Sequence, residues 1–303
     1  MIRRLRAIAA LAGVLLTTSV HADDRLLRML PQVQRAYQDR LDDLDSGKLR
    51  QPFRGSASIV QQRAFPWAAS LGLAGVPPLS GHFCGATVIA PHWALTAAHC
   101  VADISRTGGS TPSPLDPVKI QLLTGTLQLN RDGHIHKVAR IVLHPDFRIG
   151  PYGVPDNDLA LLQTSDAMAE PPFEIGGPEL AGLNLRPGEK IGIIGWGTAT
   201  FDESSSLSFN LLFAFVDVVD RKTCQESYGN AVTDKMFCAG IGSADACQGD
   251  SGGAALGFGE SGLGALVGIV SWGAGCTHKE YPGVYVNVGA YREWINATIA
   301  AAK

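Results

Sequence analysis

None of the six cysteines stands in a C-x-x-C pair, which argues against a zinc ribbon and against a thioredoxin-type redox centre. A basic excess is missing as well. The net charge is −3, so the chain carries no electrostatic footprint for nucleic acid. Charged residues are scarce, at 17% against 46% hydrophobic, a balance that suits a globular protein with a core. Past the N-terminus no apolar run approaches 18 residues, so no later membrane span is expected. Metal-ligating clusters are also absent. Asn130-Arg131-Asp132-Gly133 reads as a turn without the several carboxylates of a calcium loop. His134 and His136 alternate on one expected strand, but two ligands without a third read as surface residues. No metal and no cofactor is implied.

What is present begins with an address. Three arginines lie in Met1–Arg6, Ile8–Leu16 is apolar but too short to span a bilayer, and Val20-His21-Ala22 is a small-residue cleavage site. Residues 1–22 therefore read as a secretory signal peptide, cut after Ala22. No cysteine follows the cut, so no lipid anchor is expected. The protein is expected to be secreted or periplasmic, a setting in which six cysteines can form three disulfides. Residues 23–53 are dense in Asp, Arg and Gln, with Leu26, Leu30, Val33, Tyr37, Leu41 and Leu44 at helical spacing. They read either as a charged pro-segment or linker, or as a helix packed on the following domain.

From about Pro66 the texture becomes short β-type runs divided by Gly, Pro and Asn. They are Trp67–Leu73, Gly85–Ala90, Lys119–Leu123, Lys137–Leu143, Leu159–Leu162, Lys190–Ile194, Leu211–Val219, Ala265–Trp272 and Gly283–Val288. This pattern predicts an all-β barrel or sandwich protein. Tyr291–Ala302 is apolar at helical spacing and predicts a terminal helix.

One hydroxyl stands out. In Gly249-Asp250-Ser251-Gly252-Gly253, small neighbours leave the Ser251 oxygen uncovered and open the Gly249 and Ser251 N–H groups to a substrate carbonyl. A serine is a weak nucleophile without a base beside it. Thr96-Ala97-Ala98-His99-Cys100 offers one: His99 titrates near neutrality, and the adjacent cysteine can pin it. An acid is needed to orient the imidazole. Asp158, at the head of Asp158-Leu159-Ala160-Leu161-Leu162, would be costly to bury unless His99 is its partner.

With Ser271-Trp272-Gly273, Phe65-Pro66-Trp67, Gly195-Trp196-Gly197, Met236-Phe237-Cys238-Ala239-Gly240 and Pro282-Gly283-Val284-Tyr285, these motifs make residues 53–300 resemble the trypsin-like, chymotrypsin-fold (S1) serine proteases of a secreted, bacterial type. The order of His, Asp and Ser is that family's order. The resemblance implies two packed six-stranded antiparallel β-barrels, at about 66–170 and 185–290, a C-terminal helix at 291–302, and a cleft between the barrels. Six cysteines allow fifteen pairings; the resemblance implies Cys84–Cys100, Cys224–Cys238 and Cys247–Cys276. It casts His99, Asp158 and Ser251 as the triad and Gly249 and Ser251 as the oxyanion hole. Asp245 becomes the base of the substrate pocket, with Ala246, Ser271, Trp272, Gly273 and Gly283 around it.

A carboxylate in a narrow pocket selects a long cationic side chain, which Arg meets bidentately. Ala246 removes a hydroxyl that Lys would miss more than Arg, so cleavage after Arg in preference to Lys is expected. The expected partners are protein or peptide substrates bearing Arg or Lys and a proteinaceous inhibitor, and the expected state is a monomer. The resemblance also assigns Asp250 as the acid that captures a new N-terminal amine on activation. The usual Ile-Val-Gly-Gly is missing: Ile59-Val60 is followed by Gln61-Gln62, and counting back from Phe65 reaches Phe53-Arg54-Gly55-Ser56. Arg50, Arg54 and Arg63 are the candidate cut sites. The rival reading is a binding protein on the same fold, either a pseudoprotease or a latent zymogen.

Overall fold

Residues 58–60, 64–104, 112–150, 153–176, 185–198, 207–241, 245–258, 264–276, 278 and 280–302 are described by a computed structural model. The signal peptide, the 23–53 segment and Arg50, Arg54 and Arg63 lie outside these residues.

Thirteen strands build the frame: β1 (Ser58–Ile59), β2 (Ala68–Leu73), β3 (His82–Ala90), β4 (Trp93–Thr96), β5 (Ile120–Thr124), β6 (His134–Leu143), β7 (Ala160–Thr164), β8 (Lys190–Gly195), β9 (Leu212–Val219), β10 (Met236–Ala239), β11 (Ala254–Phe258), β12 (Gly264–Trp272) and β13 (Gly283–Asn287). The first barrel runs β7-β4-β3-β2-β5-β6 and closes where β6 meets β7. The second runs β9-β8-β11-β12-β13-β10 and closes through Val218 opposite Ala239. Every barrel pairing is antiparallel, so closure leaves no bare edge inside either ring.

Side-chain alternation explains which faces turn inward. On β9, Ala214, Val216 and Val218 are buried while Phe215 and Asp217 are exposed. On β6 the buried residues are His136, Val138 and Ile141. The step from two to three coincides with a register shift against Gln163 and Thr164, the mark of a β-bulge. His136 thus departs from the surface expected of it. It is 4% exposed, with Nδ1 2.6 Å from Asp166 and Nε2 3.0 Å from the Thr124 hydroxyl.

Among the described residues, several contacts tie the barrels together. β1 precedes the first barrel in sequence yet pairs with β9 of the second, Ser58 opposite Phe213. Helix α3 (Arg292–Ala301) follows the second barrel but packs back on the first, with Tyr291 and Trp294 edge-on to His144 at 5.0 and 4.9 Å. Asn157 Oδ1 accepts from Lys235 Nζ at 3.0 Å and from Tyr291 OH at 3.1 Å.

Candidate active site

His99 lies on the short helix α1 (Ala98–Val101), directly after β4, and Cys100 beside it is bonded to Cys84 on β3. Asp158 stands two residues ahead of β7, which pairs with β4. Strand pairing therefore brings the acid to the base. Asp158 is fully buried, and three donors surround it: His99 N to Oδ1 at 2.8 Å, His99 Nδ1 to Oδ2 at 2.7 Å, and Ser271 Oγ to Oδ2 at 2.6 Å. This commits the Nδ1 proton to Asp158 and leaves the lone pair on Nε2, which lies 3.7 Å from the Cys100 sulfur. The residue before the acid, Asn157, has φ 50. Asparagine tolerates this left-handed conformation, and its side chain is held by the inter-barrel bonds given above.

Ser251 comes from the second barrel, in the turn ahead of β11. Its carbonyl accepts from Gly85 N on β3 at 2.7 Å. The approach is close: a Cβ on Gly85 would stand 2.8 Å from the Gly253 Cα, so only glycine fits at that crossing. Behind the turn, Ser70 Oγ contacts His82 Nδ1 at 2.7 Å, and His82 Nε2 donates to the Gly249 carbonyl at 3.1 Å. That bond fixes the peptide plane between Gly249 and Asp250. Among the described residues, neither the Gly249 nor the Ser251 N–H has a hydrogen-bond partner, and both remain free to receive an oxyanion.

Beside Ser251 opens a cavity of about 150 Å³. Ala246, Ser271, Trp272, Gly273, Gly283 and Tyr285 line it. Asp245 lies directly behind the wall: a Cβ on Gly283 would come within 2.5 Å of its Oδ1. Burial, and next the negative charge of Asp245, push the Tyr285 hydroxyl well above its ordinary range. The Asp245 Oδ1 is itself buried.

Asp250 accepts from Gly197 N at 2.8 Å and Cys247 N at 2.9 Å. Desolvation nevertheless raises its carboxyl to about 6, against the pull of those two donors. Among the described residues no ammonium or guanidinium pairs with it. The Ile59-Val60 pair is not at hand, because Ile59 lies opposite Leu212 and Val60 N donates to Leu211 O at 2.9 Å. The remaining bridges are Cys224–Cys238 and Cys247–Cys276, the latter flanking the pocket. Cys84, His99 and Cys100 cluster closely enough to suggest a metal, but the disulfide leaves no thiolate to ligate one.

The bond from Ser271 to Asp158 and the Ser70–His82–Gly249 chain were not foreseen from sequence. For Ser271 a signal exists: a lone hydroxyl in the apolar run Ala265–Trp272 needs a buried partner.

The sequence model of the trypsin family matches residues 56–295. Trypsin Blo t 3 of Blomia tropicalis is 39% identical over 224 residues, 71% of this chain and 77% of its own length. Trypsin alpha of Drosophila melanogaster is 32% identical over 247 residues, 80% of this chain and 86% of its own. Human transmembrane protease serine 11B is 35% identical over 249 residues, 80% of this chain and 54% of its own. With the two barrels and the cleft between them, these matches show that the chain belongs to the trypsin family of serine endopeptidases.

Proposed function

We propose that the protein is a secreted endopeptidase that hydrolyses peptide bonds after Arg, and less readily after Lys, with Ser251, His99 and Asp158 as its triad. The observation that carries this reading is Asp158, buried and bonded to both the N–H and the Nδ1 of His99. His99 Nε2 takes the Ser251 proton as Oγ attacks the scissile carbonyl carbon. The oxyanion that forms is received by the Gly249 and Ser251 N–H groups. His99 returns the proton to the leaving amine, the C–N bond breaks, and an acyl-enzyme remains. Water then attacks with His99 again as base, and the acid product leaves.

Selection of the residue before the cut is supported by Asp245 close behind Gly283, where a carboxylate suits a guanidinium that enters the cavity beside Ser251. The absence of a hydroxyl at Ala246 weakens Lys more than Arg. Secretion rests on the order of arginines, apolar run and small residues in 1–22.

Asp250 favours a second reading, a latent zymogen, for the uncut chain. Its carboxylate has two N–H donors and no cation among the described residues. We assign it as the acid that captures the amine released by cleavage upstream of Ser58, with Arg50 and Arg54 as candidate cut sites.

An active-site-directed fluorophosphonate separates the readings. Wild type is expected to label, before or after mild trypsin treatment, and Ser251→Ala is not. Labelling in neither condition sinks the enzyme reading and leaves a binding protein. Among matched peptide substrates, Lys turnover equal to Arg turnover would refute the assigned preference.

A further inference from the structure

Away from the cleft, one acid is buried without a partner. Glu170 lies beyond the end of β7 opposite to Asp158 and is 9% exposed. Its Oε2 is sealed from solvent and has no hydrogen-bond partner, and among the described residues no cation pairs with it. A carboxylate withdrawn from water is strongly disfavoured unless another group replaces its hydration.

The space beside it has the shape for such a group. Glu170 lines a cavity of about 210 Å³ together with Phe65, Pro66, Gly125, His134 and Pro171. Gly125 keeps the carboxylate uncovered: a Cβ there would stand 2.6 Å from Oε1. Rotation of the terminal carboxylate bond is nearly free and exchanges the two oxygens. The cavity continues into a larger one of about 690 Å³ through the shared residues Gly125, Thr126, Leu127 and His134. None of these residues lines the cavity beside Ser251.

Size and chemistry narrow the ligand. The inner cavity is smaller than the roughly 300–1,000 Å³ of sites that enclose a whole drug-sized molecule. Its one carboxylate falls far short of the six to eight oxygens that calcium takes. A flat aromatic and proline wall around a single acid suits the stem and head of a basic side chain.

We propose that the Glu170 cavity is a second recognition site, which takes one Arg or Lys side chain of a bound protein. Agmatine, titrated into the full mature chain by calorimetry, tests it. Wild type is expected to show two sites, while Asp245→Asn and Glu170→Gln each show one and the double variant shows none. In the Asp245→Asn background, Glu170→Gln is expected to weaken agmatine at least tenfold. A second measurement guards against a folding artefact. Without ligand, Glu170→Gln is expected to melt at least as high as wild type, because Oε2 makes no hydrogen bond that the substitution would remove. Agmatine in turn raises the melting temperature of Asp245→Asn but not of the double variant. No binding to Asp245→Asn, binding that survives Glu170→Gln, or the same shift produced by millimolar calcium alone would each overturn the proposal. Loss of the Asp245-dependent site alone tells against the cleft specificity, not against Glu170.

Discussion

Asp250 has two backbone N–H donors and, among the described residues, no cation, and desolvation holds its carboxyl at about 6. An unfolded aspartate titrates near 3.9. Between these values the folded chain binds the extra proton, so this residue's contribution to stability is full below about pH 4 and is lost as pH rises through 6. In the uncut Ser251→Ala protein, melting temperature is expected to fall across that window relative to Ser251→Ala/Asp250→Asn. Parallel pH profiles for the two proteins would refute the assignment. On the proposed activation, an amine inserted beside Asp250 is expected to lower its carboxyl and close the window. The pairing of His99 with Asp158 is legible in sequence because an acid at the head of an apolar strand needs a buried partner. Ser70 and His82 are not, since their bonds to each other and to Gly249 depend on a strand register that composition does not encode.

Among the elements, long alternating runs such as Leu212–Val219 announce themselves, whereas β4, β10 and β11 do not. Each of those three has four or five residues and is buried at nearly every position, so none shows the polar face that gives alternation its signal. Helix α2 (Arg221–Tyr228) was also missed, although Asp220 caps it by accepting from Thr223 N at 2.9 Å. Cys224 fastens this helix to β10 at Cys238, 14 residues away. Replacing both cysteines with alanine is expected to cost about 3 kcal/mol through the freed unfolded chain. Urea unfolding measures the loss directly, and hydrogen exchange should rise first in α2 and β10. An unchanged midpoint would mean that packing alone holds α2 against β10.

For the molecule as a whole, stability and chemistry meet at Asn157. Lys235 and Tyr291, both outside the first barrel, hold this left-handed residue one position before Asp158. Tyr291→Phe is expected to lose about 1 kcal/mol, and Lys235→Met about 1.5–3 kcal/mol because the bond it removes is to a charged donor. Both should move the urea midpoint at constant slope. Full additivity of the pair would show that the two bonds act independently. The strand runs predicted only an all-β barrel or sandwich, and the two-barrel plan came with the family resemblance; this bracing came from neither, because residues 157, 235 and 291 are far apart along the chain.

Ser58–Ile59 gives the architecture an unequal inheritance. The strand is encoded ahead of the first barrel yet borders β9 of the second. A gene crossover between the barrels therefore does not exchange intact units. Each chimera of two relatives would take the border strand from one parent and Leu212–Phe213 from the other. Backbone pairing survives such a mixture, since it is blind to side chains. Val60, buried beside that border, must instead match a neighbour with which it did not evolve.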